Sequence, residues 1–571
     1  MGGGAPIGDA PLVTMYKKYH LILLAALMTL AQWTFAQSDC RRIIYNQDPT
    51  SGFPDYYEIG KDVLQTQFGN WFLVGDATIN AAGERDITIT KLDPSGNTIW
   101  MKAYDLANTP PWNPYGPYNV GQHEYAEKIV KDPGGPGYIV FGGTYYWGMS
   151  VLLLFKINNA GVPQWCRMIE PPTNAGFPMD MIPTSDGNVV TVSSFETYSL
   201  APFRSMVAKV NSNGNEVWKT GLEVPGKDLR LRAAMELPNG HIVAVGNELR
   251  SSGDPERILI AFLDGGNGNL LGSFRYEASI GGDVSAFDLA PGPNGTLLIT
   301  GKYSGPQASG DILLIEVNPN GTEEASVLSE GWSAMNLERR SDGGYALTGE
   351  FRPLGMENKA YLIQLDANGD HVSTHYYGEL GERTGFFASR EAGNGDHLLF
   401  GFAEERGVFN PEWDQFMVRT NAAGISNCCG LGTVTQTQTP VDLVDIPGGA
   451  VAFEPELTVH SEGLMPWATT DPFYHMAPIC ANKFAGTDLE DPLNDELMVF
   501  PNPSQGQVTV SIPEELSQGE LMVVNAIGQQ VVRKSLSTHE STFDLTHLER
   551  GTYFVHVSKG DRRMTKRIVL Q

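Results

Sequence analysis

Three stretches decide the fold: Leu92-Asp-Pro-Ser-Gly96-Asn-Thr-Ile-Trp100, Asn158-Asn-Ala-Gly161-Val-Pro-Gln-Trp165 and Asn211-Ser-Asn-Gly214-Asn-Glu-Val-Trp218. Each sets an Asx-x-x-Gly turn after an apolar run and a tryptophan four residues beyond the glycine. Glycine fits because tight hairpin turns need a positive φ. Looser copies centre on Gly268, Gly321, Gly369 and Gly424, so seven copies recur at intervals of 48 to 65 residues. The units share an internal order. A short turn such as Pro238-Asn-Gly240 leads into an apolar run that ends at a glycine, as in Ile242-Val-Ala-Val-Gly246, Leu297-Leu-Ile-Thr-Gly301 and Tyr345-Ala-Leu-Thr-Gly349. A variable loop, a second apolar run such as Ile258-Leu-Ile-Ala-Phe262, the Asx-Gly turn and a last strand follow. With the strand before the first turn (Ala286 to Ala290 in one copy), each unit holds four strands.

One such unit cannot bury both faces of its own sheet, whereas neighbours stacked around an axis can. The expected fold is therefore all-β: a seven-bladed β-propeller over residues 41–430, with Arg41 to Gln67 adding a strand that closes the ring. Composition agrees. Of 571 residues, 64 are Gly and 36 Pro, and only 18% are charged, which suits short strands and tight turns better than a helix bundle. The Asx-x-x-Gly-x-x-x-Trp turns resemble the tryptophan-docking repeats of quinoprotein propellers and, more loosely, the aspartate boxes of sialidases. That resemblance implies a structural role for Trp100, Trp165 and Trp218, docking an outer strand on the next blade. It implies no cofactor.

The two ends differ from the repeat. Lys17 and Lys18, the apolar run Leu21 to Ala31 and the small residues before Gln37 read as a secretory signal peptide over 1–36, with Met15 an alternative start. The run is too short to span a bilayer, and no transmembrane span is expected. Residues 431–492 read as a cysteine-flanked strap and linker: either an eighth irregular blade or a strap under the disc. Cys40, Cys428, Cys429 and Cys480 flank the repeat and are candidates for a disulfide clasp in an exported chain. Residues 493–571 alternate apolar and polar positions (Val508, Val510, Ile512) as short strands of a small immunoglobulin-like β-sandwich. This segment resembles the type A C-terminal sorting domain of the type IX secretion system of Bacteroidetes-type bacteria. The matching residues are Pro501, Asn502 and Pro503, then Asn525 with Gly528, then Gly551 and Tyr553, then the basic-to-apolar end at Lys566 and Arg567. The resemblance implies the type IX machinery as partner, removal of the tail after passage, and a cargo released or held at the outer cell surface.

A formal net charge of -27 excludes a nucleic-acid partner, which would need a basic face. Loops after alternate strands share one face, and the long ones carry aromatics beside prolines. Trp112, Tyr115, Tyr118, Tyr146, Trp147 and Trp413 are the candidate ligand contacts, and Tyr198 to Phe203 and Arg250 to Glu256 fall on the same face. Such rings stack on sugars or on partner side chains at little ordering cost. No catalytic constellation is found: no GxSxG, HExxH or phosphate loop occurs, and pairs such as Glu404-Glu405 read as solvated loop charges. No metal site or cofactor is expected, and Asp366 to Asp370 reads as a plain hairpin turn. The expected function is binding or adhesion toward a glycan or surface-protein ligand. The alternatives are a polysaccharide hydrolase or lyase and a structural surface component.

Overall fold

The computed structural model describes residues 40–44, 57–78, 85–106, 123–146, 149–170, 175–196, 202–249, 254–318 and 323–426 (the last two with short breaks), and strand segments within 430–478 and 498–570. The signal-peptide region, Cys428, Cys429, Cys480 and Pro501 to Pro503 lie outside the described residues. The described chain is all-β, in many small antiparallel sheets. Seven four-stranded modules follow one another. Their first strands are Glu58–Gln65, His123–Lys131, Ala175–Pro183, Leu229–Glu236, Asp283–Pro291, Ser333–Arg339 and Arg383–Glu391. Single parallel pairings, Arg85↔His123 and Ser150↔Ala175, join the first three modules into one sheet. The seventh module takes its fourth strand from the other end of the chain: Cys40–Ile44 pairs antiparallel with Pro411–Thr420.

Two local rules shape each module. At the Asx-Gly turn the leading side chain replaces a backbone acceptor. Asn211 Oδ1 accepts from the amides of Asn213 (2.9 Å) and Asn215 (3.1 Å), while Gly214 sits at φ 76°. Asp366 does the same for Asn368 (2.8 Å) and Asp370 (2.9 Å), so that segment is the plain hairpin turn expected. The second rule concerns the glycine that ends the apolar run. All seven first strands carry a β-bulge, and opposite it a Cβ at Gly246 or Gly301 would collide with the carbonyl of Arg230 or Ser285. Six of the seven second strands place a glycine there, the third module using Ser193 opposite Pro178 instead.

The modules lock onto one another through the same turns. Trp165 Nε1 donates to Ser212 O (3.0 Å) and Trp218 Nε1 to Gly265 O (3.0 Å), each in the turn of the following module. Trp100 packs where a Cβ on Gly161 would fall. A third-strand position repeats the link: Lys91 Nζ reaches Asn159 Oδ1 (2.7 Å), Lys209 Nζ reaches Gly265 O (2.8 Å) and Gln364 Nε2 reaches Ala422 O (2.8 Å). At the same position in the seventh module Arg419 Nη1 donates to Pro94 O (3.0 Å) in the first. Gln415 Nε2 bonds Thr88 Oγ1 (2.7 Å), and Leu73 and Trp71 of the first module share a core with Phe400 and Met417 of the seventh.

The strands within 430–478 build no eighth module. They pair one by one with the outer edge of every module, in reverse order. Gly430–Thr433 extends the sixth, Gln438–Val441 the fifth, Leu443–Asp445 the fourth, Val451–Phe453 the third, Thr458–His460 the second and Leu464–Ala468 the first. His475–Pro478 then pairs with Cys40–Ile44 on the seventh. The segment is a girdle of single edge strands, one to each module, where an eighth irregular blade or a strap under the disc was the expectation. It covers edge strands that would otherwise offer unpaired backbone to other chains. Gln438 stitches it in place: its Nε2 donates to Ser326 Oγ (2.9 Å) and Gly369 O (3.3 Å), and its Oε1 accepts from the His371 amide (3.2 Å).

The C-terminal segment forms two sheets of three and four strands, with Val508, Val510, Val523, Phe543, Val555 and Ile568 packed between them. That core draws only on residues 499–570.

Candidate functional site

The bulges explain where chemistry concentrates. A bulged residue leaves the ladder and turns its side chain off the sheet. The bulged residues are Lys61, Glu127, Met179, Arg232, Phe287, Met335 and Phe387, one per module. Side chains of six of them approach one another across module boundaries. Lys61 Nζ lies 3.3 Å from Glu127 Oε2 and 5.1 Å from the Phe387 ring centre. Arg232 Nη1 lies 3.9 Å from Met179 Sδ, and its guanidinium 5.9 Å from the Phe287 ring centre.

In four of the seven strands the next residue forms a second tier that ties neighbours together. Asp62 Oδ2 accepts from the Ile129 amide (3.0 Å), Asp180 Oδ2 from Ala234 (2.9 Å), Asp288 Oδ2 from Leu337 (2.7 Å) and Asn336 Oδ1 from Ser389 (3.0 Å). Lys128 stands in this tier with its Nζ 3.7 Å from Asp180 Oδ1. Burial works against its ammonium, yet the fields of Asp62, Asp180 and Asp288 outweigh that and raise its pKa. The acids show the cost of the enclosure. Burial lifts Asp288 to about 6 even beside Lys128, and lifts Glu338 to about 7 even beside Arg390. Glu338 accepts from the Glu391 amide (3.0 Å), and Arg390 is held charged by Glu338, Asp62, Asp288 and Asp180 against its own burial.

Aromatic and guanidinium groups gather at the end where the first strands begin. Trp413 is half-buried, its ring 4.8 Å from Phe402 and 5.8 Å from Tyr57. Arg383 lies 5.5 Å from the Trp413 ring centre and bonds Glu350 through Nη2 (3.0 Å) and Nε (3.1 Å). Arg85 lies 4.6 Å from the Tyr57 ring centre and 3.5 Å from Asp76, whose carboxyl burial pushes up to about 6. Arg230 lies 3.9 Å from the ring centre of Phe203, which faces Phe177 at 6.3 Å.

Of the sequence candidates, Trp413 alone stands in this cluster as a described side chain. Trp112, Tyr115, Tyr118 and Trp147 lie outside the described residues, and Tyr146 is described only as the end of a strand paired with Met149. Cys40 begins the strand that completes the seventh module. In the tail, Gly551 opens a strand, Tyr553 is buried, Arg567 pairs with Phe554, and Lys566 Nζ lies 3.9 Å from the ring centre of Phe68. Sequence reading did not single out Lys61, Lys128, Asp180, Arg230, Arg232, Asp288, Glu338 or Arg390. The available signal was the strand-ending glycine, which marks the bulge on its partner strand and so the inward position. Among the described residues no cluster of metal-ligating side chains occurs, and no helix is long and apolar enough to cross a membrane.

Residues 498–571 match the family described as the secretion system C-terminal sorting domain. The C-terminal unit is thus a type IX sorting domain, and the chain is exported to the outer surface or released beyond it. No curated protein matches the chain. Similar solved structures include Sqt1 from Chaetomium thermophilum, at 12% identity over 65% of this chain and 98% of that one, TM-score 0.38. PorZ, a surface component of the type-IX secretion system of Porphyromonas gingivalis, is similar at 13% identity over 90% of this chain and 81% of that one, TM-score 0.27. An endo-arabinase from Bacteroides thetaiotaomicron is similar at 13% identity over 46% of this chain and 94% of that one, TM-score 0.23.

Proposed function

We propose that the chain is an exported seven-bladed β-propeller, carried by an immunoglobulin-like sorting domain, that binds a glycan or protein ligand at the mouth of its central channel. The contacts of the seventh module with the first support a closed ring, and the approach of six bulged side chains across module boundaries supports a channel along its axis. One observation carries the choice of binding over catalysis. The carboxylates Asp62, Asp180 and Asp288 accept from amides of the neighbouring module and lie in the fields of Lys128 and Arg390, so they serve the packing of modules before any substrate. The mouth, by contrast, presents partly exposed rings and guanidiniums on a rigid scaffold, the usual seat of recognition.

The test is a glycan and surface-protein array probed with the full chain and with Trp413→Ala. Binding that falls with the variant while its melting temperature holds is the expected result; a ligand bound equally by both moves the site off this mouth. A hydrolase or lyase is the second reading. It rests on Glu338 near 7 and Asp288 near 6, values suited to proton transfer. Turnover of any polysaccharide that Glu338→Gln abolishes would favour it.

A further inference from the structure

Arg230 and Arg232 are among the described arginines that no carboxylate pairs. Acidic residues outnumber Lys and Arg by 66 to 39, and most described arginines are paired. Arg257 bonds Glu248 (3.1 Å) and Glu277 (2.9 Å), Arg383 bonds Glu350, and Arg419 lies 3.6 Å from Asp396. Among the described residues no carboxylate comes within ion-pair distance of Arg230 or Arg232, and the Nε of each is buried without a hydrogen-bond partner. They stand two residues apart on one strand, with Arg232 at its bulge, and the field of Arg230 reaches Arg232. Burial and the neighbouring Arg230 charge lower the pKa of Arg232, against the opposing fields of Glu127 and Glu256, which stand beyond ion-pair distance.

Their seating points to a purpose. Arg230 lies on the face of Phe203, and Arg232 lies beside Phe287 and Met179. A guanidinium stacked on a ring keeps its plane fixed and its N–H edge free, the geometry that grips a planar two-oxygen anion. With the Phe203 ring holding the plane of Arg230, less side-chain entropy remains to be lost on binding. The flanking surface is apolar, with Phe177 beside Phe203, which suits the face of a sugar ring better than a flexible acidic side chain.

We propose that Arg230 and Arg232 form a carboxylate-recognition site at the channel mouth for an acidic saccharide, the uronate group lying across the two guanidiniums. This rests on the reading of the mouth as a binding face and adds the ligand class.

The experiment titrates the full chain with an oligogalacturonate hexamer, its fully methyl-esterified form and a hexaglutamate peptide, by calorimetry and thermal shift. The hexamer binds, the ester binds at least about tenfold more weakly, and Arg230→Gln and Arg232→Gln each cost the hexamer at least about tenfold. The Gln variants keep or gain thermal stability, because each removes half of a repulsive pair. Should a variant fail to fold, the hexamer-against-ester comparison on the native chain still decides. Equal binding of hexamer and ester, unchanged affinity in both variants, or tighter binding of hexaglutamate overturns the proposal. If no acidic saccharide binds but the array yields a ligand sensitive to Trp413→Ala, only this inference falls; if the array yields none, the binding reading falls with it.

Discussion

Lys128→Met is the most informative single change in the ring. Lys128 and Arg390 are the cations among Asp62, Asp180 and Asp288; the Lys128 side chain is 20% exposed, with its Nζ 3.7 Å from Asp180. Methionine keeps the length and the apolar stem and removes the charge. Removing one partner of a buried pair costs roughly 3–5 kcal/mol, because the other charge is left uncompensated. Some solvent reaches Lys128, so about 2–4 kcal/mol is expected near neutral pH. The pH dependence is the sharper readout. Lys128 has a raised pKa, so its own contribution is complete below its unfolded value of about 10.5 and constant across the working range. Any pH dependence of the loss must come from the acids. In the native chain Lys128 holds down Asp180 and Asp288. Without it their folded pKa values rise further, and they take up protons as pH falls from about 8 to about 5. The loss should therefore be largest at about pH 8 and shrink toward about pH 5, read as midpoints of guanidinium unfolding. A double change with Asp180→Asn should recover part of it, a coupling of roughly 1–3 kcal/mol. A loss that is the same at both pH values, or below about 1 kcal/mol at the higher one, would refute the reading of Lys128 as a counter-charge of these acids.

Trp218→Ala removes a 93%-buried indole that caps the next module's turn and should cost roughly 3–5 kcal/mol; Trp218→Phe should cost only about 1, because Lys209 still satisfies the Gly265 carbonyl. Chemical denaturation of both variants checks the ratio. Glu338 titrates at about 7 in the folded chain against about 4.5 unfolded, so its charge penalty is absent below the lower value and grows as pH rises through the upper. Glu338→Gln should therefore stabilise the protein by up to roughly 3 kcal/mol at about pH 8 and leave it unchanged at about pH 4. Deleting 430–478 while keeping the sorting domain should lower the melting temperature and produce concentration-dependent association by light scattering, since every module then presents an open edge.

The repeat was legible because turn chemistry is local. An Asx side chain bonds amides two and four residues on, and glycine alone takes the positive φ, so each hairpin is written within a few residues. The docking tryptophans were legible for the same reason. The bulged positions were not, because which first-strand residue is bulged depends on a partner strand about 15 residues away: Gly246 marks Arg232 only once Leu231 is known to pair with it. The girdle was legible as a separate segment but not as an edge-covering one. Its strands are three to five residues long and pair with seven different modules at growing sequence distance, so no local periodicity encodes them. Trp413 was singled out as a loop aromatic beside a proline, whereas it lies half-buried in the strand Pro411–Thr420; its partners Tyr57 and Arg383 sit at opposite ends of the repeat and meet only when the last module reaches the first.

The two closures have different consequences. Cys40–Ile44 lies between Pro411–Thr420 on one side and His475–Pro478 on the other, so the start of the repeat and the end of the girdle are held in one sheet. The girdle pairs with the other six modules along the chain before it reaches that sheet. The sorting domain begins just beyond, and its core shares no residue with the modules. Cutting the chain between residues 478 and 498 would remove the tail without opening either sheet or core, whereas a cut before residue 430 would release the girdle with it. The order of segments along the chain places the sorting domain beyond the last strand of the girdle.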